Sequence, residues 1–299
     1  MINDVDSSGP FEARYMAFIE TISTLRPSLH RYCARMTGSV MDGEDVVQEA
    51  LIEAYRKLDQ YDESRPLKPW LFRIAHNRCI DFLRRKSVRD EAEAAAAMPE
   101  AVSPAEPITL GIGGAVEHLV ASLPPKERAC VLLKDVFDYS LEEIAELVDS
   151  TVGGVKAALR RGRTKLAVTP PAAKVSRSVD PELTQIMRLY VDRFNRRDWD
   201  GVRELIRADA RLNVADRFSG NMADAPYFIN YEKLPLRWKL AAGEMDGEPV
   251  VIILQHGADT WTPHSVIRMR VIGDRIQHIV DYVHCPWVIS AAASVAIGP

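Results

Sequence analysis

Residues 140–166, SLEEIAELVDSTVGGVKAALRRGRTKL, decide the fold of the middle of this chain. Ser140 followed by Glu143 is a capping box, the reciprocal pair that opens a helix. Leu141, Ile144, Ala145 and Leu147 then supply an apolar stripe at helical spacing. Asp149-Ser150-Thr151 breaks that helix and caps the next, Val152–Leu166, in which Val155, Leu159 and Leu166 face inward. Two short helices about a tight turn are a helix-turn-helix, whose second helix lies in a DNA major groove. Lys156, Arg160, Arg161 and Arg163 stand at its outward positions. Gly153 and Gly154, costly in a helix interior, sit near its start, where bare backbone N–H groups approach phosphate.

Charge is laid out in the same style on both sides of this segment. Residues 135–149 carry six acids and no base, and residues 150–166 five bases and no acid. Upstream, residues 42–63 hold eight acids against Arg56 and Lys57, whereas residues 65–89 hold eight bases against Asp81. The whole chain of 299 residues has a net charge of only −4, so any nucleic-acid surface is local. An acidic helix beside a basic one suits a module with one face for a basic protein and one for phosphates.

Composition divides the chain. Residues 87–114, within a stretch of three prolines, three glycines and an alanine run, and residues 169–181, with three prolines, read as linkers. They separate pieces 11–86, 115–168 and 182–289. The first is helical throughout: Phe18, Ile22, Leu25, Leu29, Tyr32 and Met36 recur at three- and four-residue steps, as do two later series. The third opens with helices near 182–195 and 199–207. Strands follow over 236–245, 250–256, 266–272 and 275–283, with hairpin turns at Asp246-Gly247 and Gly273-Asp274. The fold class is therefore multidomain, two all-α domains followed by an α+β domain.

Four dispersed cysteines without a C-x-x-C pair argue against a cysteine zinc site and a disulfide framework. Met1–Pro10 does not read as a signal peptide, and the longest apolar runs fall short of the ~20 residues that span a bilayer. We expect a cytoplasmic protein with no membrane contact, no metal and no cofactor.

Five motifs in register resemble the extracytoplasmic-function sigma factors, initiation subunits of bacterial RNA polymerase. They are Asp42-Gly-Glu-Asp45-Val-Val-Gln48-Glu49-Ala-Leu51, the run from Pro69-Trp70-Leu71-Phe72 to Leu83-Arg84-Arg85, Leu123-Pro-Pro-Lys-Glu-Arg128, Tyr139-Ser-Leu-Glu-Glu-Ile-Ala145 and Thr151-Val-Gly-Gly-Val-Lys156. The resemblance implies that Asp45, Gln48 and Glu49 dock on the β′ clamp helices of core polymerase. It implies that Arg73, Asn77, Asp81, Arg84 and Arg85 capture the melted −10 element of promoter DNA. Amides and guanidiniums suit splayed base edges and a single-stranded backbone. Thr151, Lys156, Arg160, Arg161 and Arg163 become the −35 reader, although Ala157 and Ala158 stand where many relatives are polar. The first domain is thus the helical −10-binding domain, the second the helix-turn-helix domain.

Residues 182–289 resemble an NTF2-like, SnoaL-type cone, through element order and Gly273-Asp-Arg-Ile-Gln-His-Ile-Val-Asp281. Strand alternation aims Asp281 at a pocket, where a carboxylate beside His is either an acid–base catalyst or a satisfied structural group. We expect no enzyme, and a cone that regulates the sigma part in cis from a tether of about twelve residues, roughly 20 Å in root-mean-square length. A small-molecule ligand of the cone stays open. So does the alternative, an NTF2-like enzyme that processes or senses a ligand and is fused to a DNA-binding regulator.

Overall fold

The computed structural model describes residues 10–62, 64–96, 122–168, 181–235, 237–257 and 259–298. Three long helices open the chain: α1 (Pro10–Thr37), α2 (Val40–Arg56) and α3 (Leu67–Ala96). Gly38 ends α1 at φ 82, a conformation glycine adopts without strain, and Ser39 caps α2 through the Asp42 amide at 3.3 Å. The turn brings α2 hard against α1. A Cβ on Gly43 would meet the Ala34 backbone at 2.5 Å, so the glycine of the Asp42–Asp45 motif sets how closely the two helices approach. Helix α3 runs past residue 86 to Ala96, because 87–96 lack proline and glycine and include an alanine run. The rest of the first expected linker, and residues 169–180 of the second, lie outside the described residues.

Helix α4 (Pro125–Val131), a π-helical turn (Leu132–Val136), α5 (Leu141–Leu147) and α6 (Val152–Val168) form the middle piece. It shares a core with the first. Tyr32 and Phe72 meet Phe137 with ring centroids 5.8 and 5.4 Å away, and Phe72 meets Tyr139 at 5.6 Å. Arg128, buried, donates to the carbonyls of Met36 and, at 3.0 Å, Leu123, tying α4 to the end of α1.

The C-terminal piece places α7 (Pro181–Asn195) and α8 (Trp199–Glu204) before seven strands: β1 (Ile206–Val214), β2 (Phe218–Asn221), β3 (Trp238–Met245), β4 (Glu248–His256), β5 (Trp261–Ile272), β6 (Arg275–Asp281) and β7 (Val295–Ile297). Helix α9 (Tyr227–Glu232) follows β2, and α10 (Trp287–Ser290) follows β6. The sheet order is β2-β1-β6-β5-β4-β3-β7, parallel only between β1 and β6. Asp246 and Gly247, both at positive φ, close the β3–β4 hairpin as expected from the Asp-Gly pair. This is the expected plan of helices followed by a sheet.

The sheet is apolar on both faces. Val251 and Ile253 pack under α7–α9, whereas Val250, Ile252 and Leu254 point the other way. That second face packs against α10 and against Ala34, Val40 and Met41 of α1 and α2. The unbroken run Val250–Leu254 is what a strand buried on both sides requires.

Candidate functional site

Helix α6 presents Lys156 and Arg160 to solvent, and among the described residues neither forms an ion pair. Its other bases are engaged. Arg161 donates to Glu127 at 2.8 Å, Lys165 reaches the other oxygen of Glu127 at 2.9 Å, and Arg163 pairs with Asp135 at 2.5 Å. Thr151 caps the helix, its Oγ1 accepting from the Gly154 amide at 3.0 Å. A Cβ on Gly154 would stand 2.6 Å from Ser150 Oγ, a contact that rotation of the Ser150 side chain would relieve. Ala158 is buried, as are Val155 and Leu159, and Leu166 is only half-buried. Ala158 is small because it faces the core.

On α3, Arg73 and Asn77 are exposed one turn apart on a single face. Arg84 pairs with Asp81 at 3.2 Å and Arg85 with Glu49 at 3.3 Å. Arg78 meets Glu53 at 2.5 Å and Lys86 meets Asp42 at 3.8 Å. The acidic α2 and the basic α3 therefore neutralise one another along much of their length.

The N-terminal turns of α2 look elsewhere, into the C-terminal sheet. Asp42 accepts from Arg268 of β5 at 2.6 Å, and Arg268 also reaches Glu248 at 3.5 Å. Asp45, half-buried, accepts from Tyr282 Oη at 3.0 Å. Glu44, fully buried, accepts from Arg26 and, at 2.8 Å, from Trp287 Nε1, and Cys285 Sγ lies 3.8 Å away. Arg26 bridges onward to Asp216 at 2.7 Å and lies over the Trp287 ring at 4.9 Å. Glu44, Asp216 and Cys285 would offer three metal-ligand atoms within 4.8 Å, but the guanidinium already bridges the two carboxylates. Of the three polymerase-facing candidates, then, Asp45 is engaged by the sheet and Glu49 by α3. Gln48 is half-buried, and its Nε2 has no hydrogen-bond partner among the described residues.

Asp281 is fully buried beside a cavity of about 480 Å³ between β1, β6 and α9. Its Oδ2 accepts from Tyr227 and Tyr231 at 2.7 and 2.6 Å, and its Oδ1 from the Val283 amide at 2.8 Å. Burial raises its pKa to about 6 against the pull of those three donors. The two tyrosines were missed in the sequence because α9 was not anticipated, although Tyr227 and Tyr231 stand at the i, i+4 spacing of one helix face. Arg268, Tyr282, Cys285 and Trp287 carried no signal of their own, since their partners lie more than two hundred residues upstream.

A helix-turn-helix with free bases, joined to an acidic–basic helix pair, defines a DNA-reading module built to work with a second protein. Residues 21–89 match the Sigma-70 region 2 family and residues 113–166 the Sigma-70, region 4 family. The chain is 32% identical to the ECF RNA polymerase sigma factor SigW of Bacillus subtilis, over 50% of this chain and 87% of that protein. It is 26% identical to the ECF RNA polymerase sigma factor SigG of Mycobacterium tuberculosis, over 92% of this chain and 83% of the relative. The crystal structure of the M. tuberculosis sigma factor SigJ aligns with 88% of this chain and 95% of its own, at 16% identity and a TM-score of 0.36. This chain belongs to the extracytoplasmic-function sigma factors, the subunits that direct core RNA polymerase to promoter DNA. Among the described residues no helix is long and apolar enough to cross a membrane.

Burial, opposed by the Tyr282 hydrogen bond and by Arg268, raises the pKa of Asp45 to about 7. A carboxyl group whose pKa is raised on folding favours the folded state while protonated and withdraws that support as pH rises through the folded value. We therefore expect Asp45→Asn to stabilise the protein at pH 8 by on the order of 2 kcal/mol, a figure discounted for the partial exposure of Asp45. The gain should shrink as pH falls from 7 towards 4. Urea denaturation of both proteins across that range checks it, and a gain independent of pH would contradict it.

Proposed function

We propose that the chain divides its work among three units, residues 11–86, 115–168 and 182–289. The first docks on the β′ clamp helices through α2, with Asp45, Gln48 and Glu49 at the contact, and captures the melted −10 element with α3. There Arg73 and Asn77 are ready to meet DNA, and Asp81, Arg84 and Arg85 exchange their internal pairs for bases and phosphates. The second reads the −35 element in duplex form, Lys156 and Arg160 first, with Thr151 fixing the start of the helix and Arg161 and Arg163 released from Glu127 and Asp135 on contact. The third modulates both in cis. One observation carries this reading: Asp42, Glu44 and Asp45 of α2 are all held by C-terminal side chains. The docked sheet covers part of the surface through which core polymerase would engage, so docking restrains the sigma part.

The C-terminal unit acts without turning over a substrate. Three donors already occupy the oxygens of Asp281, which supports a structural and ligand-shaping role over proton abstraction. The protein works in the cytoplasm, where polymerase and promoter are.

Two experiments test these assignments. Arg160→Ala should weaken promoter binding by about 1–3 kcal/mol if it reads a base, or lower the salt slope by about one if it meets phosphate. Arg161→Ala should in addition lower Tm, because it strips Glu127 of a partner. Filter binding at several salt concentrations separates the cases, and unchanged binding by both folded variants would remove α6 as the reader. Arg268→Glu places like charge against Asp42 and should raise affinity for core polymerase about fivefold or more, with greater output in run-off transcription. A folded variant with unaltered affinity would contradict restraint in cis.

A further inference from the structure

Beside Asp281 the cavity is lined by Leu212, Val214, Phe218, Leu234 and Val283, and its volume of about 480 Å³ suits a small organic molecule. Its mouth is of another character. Arg217, Lys233, His284 and Asn230 ring the opening, and all four are exposed. Arg217 and Lys233 form no ion pair with any other described residue. Asp281, the one acid in the lining, lies at the buried end with its oxygens taken by Tyr227, Tyr231 and the Val283 amide. An apolar body belongs inside and an anionic group at the rim, where charge-assisted hydrogen bonds hold it.

The walls of this cavity are also the back of the α2 docking surface. Along 281–285 the side chains divide between the two: Asp281, Val283 and His284 line the cavity, whereas Tyr282 bonds Asp45 and Cys285 lies against Glu44. The end of β1 repeats the pattern, with Val214 in the cavity, Ala215 packed on the α2 side, Asp216 paired with Arg26 and Arg217 at the mouth. The Ala215 amide donates to the Asp281 carbonyl at 2.9 Å, joining the two stretches. A molecule that moves Val214, Val283 or Arg217 moves backbone whose next residues hold α2.

We propose that this cavity is an effector site for an apolar small molecule bearing one acidic group, and that its occupancy alters the grip of the C-terminal unit on α2. The proposal rests on the reading of that unit as a regulator in cis. Decanoate is the probe and decanol its uncharged comparator, both titrated calorimetrically into the full-length protein. Saturable one-to-one binding of decanoate is expected, tighter than decanol by about tenfold. Arg217→Ala/Lys233→Ala, confined to exposed rim residues, should lose about that same factor for decanoate and leave decanol unaffected. Saturating decanoate should shift affinity for core polymerase by about threefold or more, and polymerase should shift decanoate affinity by the same factor. Absent saturable binding, decanol equal to decanoate, or a double variant equal to the wild type would overturn the site. Specific binding with unchanged polymerase affinity would overturn the coupling. If folded Arg268→Glu leaves polymerase affinity unaltered, the cis-regulatory reading fails while the calorimetry still reports on the cavity.

Discussion

One buried carboxylate holds the two ends of this protein together. Glu44 lies fully out of solvent, and an unpaired charge there would cost several kcal/mol. Arg26 of α1 and Trp287 of α10 each satisfy one of its oxygens, one from the helical part and one from the sheet part. His30 lies 4.0 Å away as well, and burial pushes its pKa down. If the sheet leaves, Glu44 loses the indole N–H and Arg26 loses Asp216, but each retains the other and both gain water. The junction is thus a contact that can be exchanged, with polar groups that solvent or another protein can satisfy. A seam of apolar residues alone would separate less readily.

The apolar component of the junction is small by comparison. Ala34, Val40 and Met41 are the helical residues that meet the second face of the sheet, whereas that face contributes Val250, Ile252, Leu254, Val266 and Val280 of its own. The C-terminal unit therefore keeps much of its core when α2 departs. Gly43 ties this arrangement to the rest: by letting α1 and α2 touch, it brings Ala34, Val40 and Met41 into one patch. The same tight pair leaves α3 on the other side of α2, with Glu49 and Glu53 turned to its bases.

Much of this was legible in the sequence where interactions are local. The Ser140/Glu143 capping box, the Thr151 cap, the Asp246-Gly247 hairpin and the helical periodicity of α1 to α3 all depend on residues within a few positions of one another. Five short motifs in order sufficed to reveal the family. What the sequence withheld is long-range. Arg161 looks like a free base until Glu127, thirty-four residues back, is placed beside it. Strand β1, between the helix expected to reach 207 and the hairpins, was missed because its parallel partner β6 comes some seventy residues later. Charge segregation in the sequence suggests two outward surfaces, whereas a good part of it is α2 and α3 facing each other and α2 facing the sheet.

The central claim is that core polymerase and the C-terminal sheet contend for α2. Hydrogen–deuterium exchange on the intact protein, free and bound to core polymerase, tests it most directly, because Tyr282, Cys285 and Trp287, whose side chains meet α2, lie within one stretch of backbone. On binding, peptides covering 282–291 should exchange faster, while those covering 40–45 stay protected under the new partner. Unchanged protection of 282–291 in the polymerase complex would mean that the two surfaces are compatible, and would contradict the account.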